Sequence, residues 1–412
     1  MSRPHDAALA RIDASADEML ERVERWSAIG SGTYDVEGLA SMAGELVAAF
    51  APLGGEIRRV PVEPQEAVDE RGEIVRRPLG DVVSVVKRPD VPLRVLLVVH
   101  MDTVFGPEDP FRVPERVGEQ RLRGPGVIDA KGGIAVLLAA LTALEHSSVA
   151  ERLGWEVLIN ADEEIGSPGS RPLLAAAARR NHLGLVFEPA LAGGMLAGAR
   201  KGSGNFTLVV RGRSAHAGRD FSAGRSAVGA LARAVVALDA MNGTAEGLTV
   251  NVGSMSGGGP VNVVPGLAIA RFNVRVVDGH QQAEAERAIR RIVQQVGRED
   301  GISASLQGGM SAPPKILDRA TRALLGHVRS CGRDLGIAID WQPTGGVCDG
   351  NRLAAAGLPT VDTLGPCGGN IHSSAEYLEI GSLTERARLV ALLLLRLAEG
   401  SLPWPPKIEA KA

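Results

Sequence analysis

Residues 93–102 read LRVLLVVHMD, a compact and largely β-branched apolar run that stops abruptly at His100, Met101 and Asp102. A run without alternating polarity is what a strand covered on both faces looks like, and parallel strands of α/β proteins are the usual case. Residues 155–164, WEVLINADEE, repeat the pattern and end in three acids. Between them, 133–145 (GIAVLLAALTALE) has the length and Ala/Leu content of a crossover helix, and 169–180 supplies another after the second strand. A third short strand, 184–187, ends in Glu188-Pro189. This alternation predicts an α/β fold with a mostly parallel sheet flanked by helices. In such sheets sites gather at the carboxyl ends of strands, where His100, Glu163, Glu164 and Glu188 all fall.

From residue 201 the texture changes. Segments 204–212, 248–255 and 264–277 read as strands, the last with alternating polarity, while 222–241 and 280–297 read as helices. That is an α+β unit with antiparallel strands. After Ala312-Pro313-Pro314 the first texture returns, with helices near 319–334 and 382–399 around a short strand at 359–363. The chain of 412 residues is long enough for two domains. The expectation is therefore a discontinuous domain, 1–200 plus 313–412, interrupted by an inserted domain at 201–312.

Composition narrows the function classes. A formal charge of −3 gives no bulk attraction to phosphate backbones or anionic membranes, so nucleic acid is a poor partner. Cys331, Cys348 and Cys367 are odd in number and widely spaced, which makes neither a disulfide framework nor a CxxC metal site. The first 20 residues have the alternating charge of an exposed helix and lack a signal-peptide core. No stretch of about 18 uncharged apolar residues stands out. The expectation is a cytoplasmic protein without a membrane partner.

Five segments carry chemistry. In His100-x-Asp102, residues two apart on an extended segment point the same way, so Asp102 can orient the His100 ring while its other nitrogen binds a metal. Alone, His100 is as well explained as the cap of a strand. Gly124-Pro125-Gly126-Val127-Ile128-Asp129-Ala130-Lys131-Gly132-Gly133 places one aspartate among glycines before a helix, where it either faces a ligand or merely caps. Asp162-Glu163-Glu164 ends an apolar strand, and burying adjacent carboxylates without a cation is costly. There, one acid can ligate a metal while its neighbour acts as a base. His372 lies in a Gly-rich loop, and His216 lies in Ser214-Ala215-His216-Ala217-Gly218 at the end of a strand. Together, a histidine, three separated acids and a second histidine form the N/O ligand set of zinc or a similar ion.

These segments, in this order from Ser31-Gly32-Thr33-Tyr34-Asp35 to Glu376, resemble the M20 metallopeptidases and, within them, the glutamate carboxypeptidase (carboxypeptidase G2-like) branch. The resemblance implies two zinc ions per subunit, with cobalt or manganese fitting similar ligands. Asp129 would bridge them, His100 and Glu188 would complete one site, and Glu164 and His372 the other. Glu163 would be the general base and Asp102 the partner of His100. The inserted domain would be a ferredoxin-like dimerisation or lid domain, and His216 would reach a partner subunit's site and help stabilise an oxyanion, making the enzyme a homodimer. Asn262 and Arg275 resemble positions that bind the substrate's terminal carboxylate. For Arg275 the chemistry agrees, since a planar guanidinium pairs bidentately with a carboxylate.

The chain departs from a common variant at Ala130, where some relatives carry a second aspartate, and at Cys348, which is a reactive thiol or simply packing. The expected reaction is hydrolysis of an amide or peptide bond beside a free carboxylate, in an N-acyl amino acid or peptide substrate. Its rivals are an aminoacylase, an N-acyl amino acid deacylase or a dipeptidase, and a silent dimeric binding protein. Dinucleotide binding is disfavoured, because Gly30-Ser31-Gly32 lacks a preceding strand and the full GxGxxG pattern.

Overall fold

The computed structural model describes residues 5–404. Its central sheet has six strands, in the spatial order Glu56–Val60, Val82–Lys87, Gly154–Asn160, Arg94–His100, Leu183–Val186 and Thr360–Val361. The last four run parallel to one another, and Val82–Lys87 runs against both of its neighbours. The sheet is thus mixed but mostly parallel. The Arg94–His100 strand explains why it forms: Val95, Leu97 and Val99 face one apolar cluster, while Leu96 and Val98 face another. Helices Gly132–Glu145 and Ile380–Glu399 cover the first face, and Arg171–Arg180 and Asp349–Ala355 the second. Where the first of these helices begins, a Cβ on Gly133 would lie 2.2 Å from the Phe187 carbonyl, so only glycine lets it pass the strand end that carries Glu188.

The N-terminal segment differs from expectation. Residues 1–4 of that stretch lie outside the described residues, but Asp6–Ala14 and Ala16–Ser27 are two helices that bury Leu9, Ile12, Met19, Leu20, Val23 and Trp26. Their alternating charges occupy one face while an apolar stripe joins the main core. Two helical segments, Val36–Leu53 and Val127–Glu145, are apolar and long enough to cross a membrane. The second is 94% buried, so the core accounts for its composition.

Residues 202–312 build a four-stranded antiparallel sheet in the order Thr249–Gly257, Leu267–Val276, Gly202–Arg211, Ser303–Ala312. With helices Ala227–Asp239 and Gly279–Gly297 on one face, the chain order is β-α-β-β-α-β, a ferredoxin-like arrangement. Along Leu267–Val276, Ala268, Ala270, Phe272, Val274 and Val276 enter this unit's own apolar cluster. Residues 269, 271, 273 and 275 therefore point to the helix-free face.

The two crossings between the units run side by side. Arg200 and Lys315 exchange backbone hydrogen bonds of 3.0 Å each. Both side chains then converge on buried Asp362, Arg200 at 3.0 Å and Lys315 at 2.7 Å. The Asn351 amide donates to Lys201 O at 3.0 Å and to Pro313 O at 2.8 Å, one bond to each crossing. Burial pushes the Asp362 carboxyl up, but Arg200 and Lys315 outweigh it and hold the group below its usual range. Asp362→Ala leaves two cations buried without a counter-ion and is expected to lower stability by about 3–5 kcal/mol. Urea unfolding checks this, and an unchanged midpoint would contradict it.

Candidate metal centre

Three parallel strands deliver the first side chains to one edge. His100 ends its strand and pairs in register with Asn160, two residues before Asp162, while Glu188 follows Leu183–Val186. His100 is fully buried, with Nδ1 3.0 Å from the Asp102 carbonyl and 3.4 Å from Asp102 Oδ1. Nδ1–H is therefore the donor, and Nε2 is left facing Asp129 Oδ1 at 3.0 Å and Glu188 Oε1 at 3.9 Å. Asp102 does more than orient this ring. It also accepts from the backbone N–H of Glu163 (3.1 Å) and Glu164 (3.2 Å) and from the Thr33 hydroxyl (2.7 Å). One carboxylate thus fixes the short 3-10 turn Glu163–Ile165 against His100. The third acid of the run, Asp162, turns away to accept from the Gly169 and Ser170 N–H groups.

Asp129 sits in an irregular turn, Val127–Lys131, with a cis peptide to Ala130. Its Oδ2 lies 3.4 Å from His372 Nε2, which also reaches Glu164 at 3.1 Å. The two oxygens of Asp129 thus face the two histidines. His372 is half exposed and adopts a left-handed backbone (φ 61°) in the turn between Gly368–Gly369 and Tyr377–Glu379. Two sets of atoms come within ion-binding reach of one another: His100, Glu163 and Glu188, and His100, Asp129 and Glu164.

The donor chemistry fits a divalent cation. Among the described residues, only histidines form ion pairs with Asp129, Glu164 and Glu188. Burial pushes the Glu163, Glu164 and Glu188 carboxyls up, Glu188 to about 8. Asp129 is held down, since hydrogen bonds from His100 and His372 outweigh its burial. Acids crowded at an apolar edge and ion-paired only to imidazoles are what a bound cation relieves. Cys348 is buried nearby at the start of Asp349–Ala355, where its sulfur accepts from Gly350 N–H. Burial pushes that thiol well up, which favours packing over a reactive thiolate.

Other expected residues lie apart from this cluster. His216 is exposed, and its Nδ1 accepts from Gly218 and Arg219 N–H within its own turn. Its two-residue strand pairs with Val263–Val264, and Asn262 O accepts from Ala217 N–H at 2.8 Å, so His216 and Asn262 share one ribbon. Arg275 lies on the helix-free face and donates to Asn273 Oδ1 (2.9 Å) and to Gly345 O (3.2 Å).

Two supports escaped the sequence. Buried Glu376 accepts from the N–H groups of Gly126 (3.2 Å), Ile128 (3.1 Å) and Asp129 (3.3 Å), and so holds the Asp129 turn. Buried Lys131 donates to Ile29 O at 2.9 Å from the other side. A buried acid far along the chain carries no local pattern that would have revealed this partnership. Glu376→Ala is expected to weaken metal binding about 10–100-fold, the usual effect of losing a group that orients a ligand. Competition titration with a chelator checks this, and unchanged affinity would show that the turn holds itself.

Residues 96–396 match peptidase family M20/M25/M40. The chain is 28% identical over 401 residues to carboxypeptidase G2 from Pseudomonas sp. strain RS-16, covering 94% of this chain and 92% of that one. It is 27% identical over 384 residues to a succinyl-diaminopimelate desuccinylase from Leptothrix cholodnii, covering 88% and 94%. A tripeptidase structure from Staphylococcus aureus superposes with a TM-score of 0.71 at 19% identity, over 93% of this chain and 99% of that one. The acidic, histidine-bearing edge and these likenesses lead to one conclusion: the chain belongs to peptidase family M20/M25/M40 and is a metal-dependent peptidase or amidohydrolase.

Proposed function

We propose that this enzyme hydrolyses an amide bond beside a free carboxylate, releasing a C-terminal amino acid such as glutamate, and that it does so as a homodimer with two zinc ions per subunit. The observation that carries the substrate class is Arg275. It is partly buried, burial alone shifts its guanidinium, and its two partners are neutral carbonyl oxygens. A guanidinium without an acid partner is a ready site for a carboxylate. Its Gly345 partner begins the loop that leads to Cys348, whose thiol feels the charges of Glu188 and Glu163. The desuccinylase likeness keeps N-acyl amino acid deacylation as the second reading.

His100 and Glu188 would hold one ion, Glu164 and His372 the other, with Asp129 between them. When bound, such ions supply Lewis acidity to a water and to the substrate carbonyl oxygen. Glu163 is the proton carrier: it takes the proton of the attacking water and returns it to the leaving nitrogen. Burial and the charge of Glu188 raise its carboxyl. Asp102 keeps that carboxylate in place through the Glu163 N–H. His216 supplies a hydrogen bond to the oxyanion of a partner's substrate. In favour of the dimer, His216 is exposed, and the exposed apolar residues Phe221, Val261 and Val263 lie on its ribbon or in the segments next to it.

Glu163→Gln is expected to retain its metal and fold while losing about 10²–10⁴ in kcat. Mixing it with His216→Ala is expected to restore part of the activity, because a mixed dimer has one site with both groups intact. Near-normal turnover of the first variant would remove the general-base role, and no recovery on mixing would remove the crossing histidine. A hydrolysis panel of N-acyl-glutamates, N-acyl-aspartates, neutral N-acyl amino acids and dipeptides tests the substrate class. Arg275→Met is expected to raise KM for each substrate cleaved far more than it lowers kcat. Equal turnover of C-terminally amidated substrates would rule out carboxylate recognition.

A further inference from the structure

The helix-free face of the four-stranded sheet is partly roofed. A hairpin from the other unit, Gln65–Val68 and Ile74–Arg77, lies across its far end. Arg271 donates to Val68 O (3.1 Å) and Glu70 (3.0 Å), while Arg211 donates to Arg71 O and Gly72 O (3.1 Å each) and to Glu73 (2.7 Å). Under this roof, Val68 packs on Val209 and Ile269. Between the hairpin and the rest of the sheet runs a groove of about 780 Å³, within the usual size of ligand sites, lined by Tyr34, Arg77, Asn205, Thr207, Asn251 and Gln307 among others.

The groove has an ordered floor. Asn251, Asn273 and Asn205 stand directly opposite one another on three adjacent strands. The neighbouring row on the same face is Thr249, Arg275 and Ser203, so the groove begins two residues, about 7 Å, from Arg275. Asn273 is saturated: it donates to Asn205 Oδ1 (2.7 Å) and Gly204 O (3.1 Å) and accepts from Arg275. The side chains of Asn251, Gln307 and Thr207 have no protein hydrogen-bond partner among the described residues.

One wall is also built. The Tyr34 hydroxyl donates to Gln65 Oε1 (2.7 Å), and the Arg77 guanidinium sits 5.1 Å from its ring centre. Tyr34 follows Thr33, whose hydroxyl donates to Asp102 beside His100, so this wall starts at the metal cluster. A carboxamide offers a donor and an acceptor side by side, the same pair that each residue of a peptide backbone presents. The charged side chains at the rim of the groove are paired, Arg271 with Glu70 and Glu66 with Arg76, and Arg77 lies over the Tyr34 ring. The neutral amides of the floor therefore suit an uncharged, extended peptide better than an ion or a purely apolar tail.

We propose that this groove binds the acyl side of the substrate and that the acyl side is a peptide chain of several residues. The chain passes Tyr34 and lies over the asparagine row while its terminal carboxylate is held at Arg275. This rests on the carboxylate-directed reading above.

Calorimetry on the metal-loaded Glu163→Gln enzyme, whose turnover is slowed about 10²–10⁴-fold, tests it with three ligands sharing one C-terminal residue: the N-acetyl amino acid, the N-acetyl tripeptide and the N-acetyl tetrapeptide. The longer ligands are expected to bind about tenfold tighter, the effect of one or two added hydrogen bonds. Adding Asn251→Leu and Gln307→Leu is expected to bring the long-to-short affinity ratio to about one. No gain with length, or a gain that survives both substitutions, overturns the groove. C-terminally amidated versions run alongside: equal binding by these would defeat the carboxylate reading, while the length comparison still decides the groove. Melting temperature of the double variant separates loss of binding from loss of fold.

Discussion

Mutual repulsion among Asp129, Glu163, Glu164 and Glu188 is the constraint on which the site depends. Four acids share the carboxyl edge of a sheet whose strands are apolar on both faces, and only two imidazoles stand among them. Left alone, burial at this apolar edge, with the charges of neighbouring acids adding to it, drives protons onto Glu163, Glu164 and Glu188, while the two histidines hold Asp129 down. A divalent cation inverts that preference, keeping the acids ionised and the histidines neutral. Binding of a metal here and the charge state of this acidic edge would therefore be one equilibrium.

Holding the acids together needs an investment of structure behind them. Asp102 ties His100 to the Glu163 turn, Glu376 gathers three N–H groups of the Asp129 turn, and Lys131 fastens that turn to Ile29. Apart from the contact of Asp102 with the His100 ring, each support acts on backbone rather than on a ligand side chain. Ligand directions are thus set by turns that cannot rotate independently, which is the preorganisation that metal and acid–base chemistry both require.

Much of this was legible in the sequence because the decisive signals are local. LRVLLVV and WEVLI are apolar runs interrupted only by Arg94 and Glu156, and the residues that follow them are ligand types, so the central strands could be placed together with His100, Glu163 and Glu164 at their ends. The strands Glu56–Val60 and Val82–Lys87 were missed because the first is nearly all polar or exposed and neither leads to a motif. The N-terminal helices looked exposed because charge alternation masks the stripe of Met19, Val23 and Trp26, visible only at helical spacing. Glu376, Lys131 and the asparagine row were illegible for a different reason. Their meaning lies in partners more than 60 residues away or on neighbouring strands, and no pattern along one segment encodes those distances.

The paired crossings at Arg200 and Lys315 bear on how such a molecule is assembled over evolutionary time. Because the insert leaves and re-enters the other unit at two hydrogen-bonded positions, its ends lie one strand spacing apart, a distance that a short turn can span. A segment with adjoining ends is a removable cassette: it can be lengthened, exchanged or lost without redrawing the sheet that carries the acids. Asp362 and Asn351 belong to the recipient rather than to the cassette, so the socket stays with the chemistry while the part plugged into it is free to diverge.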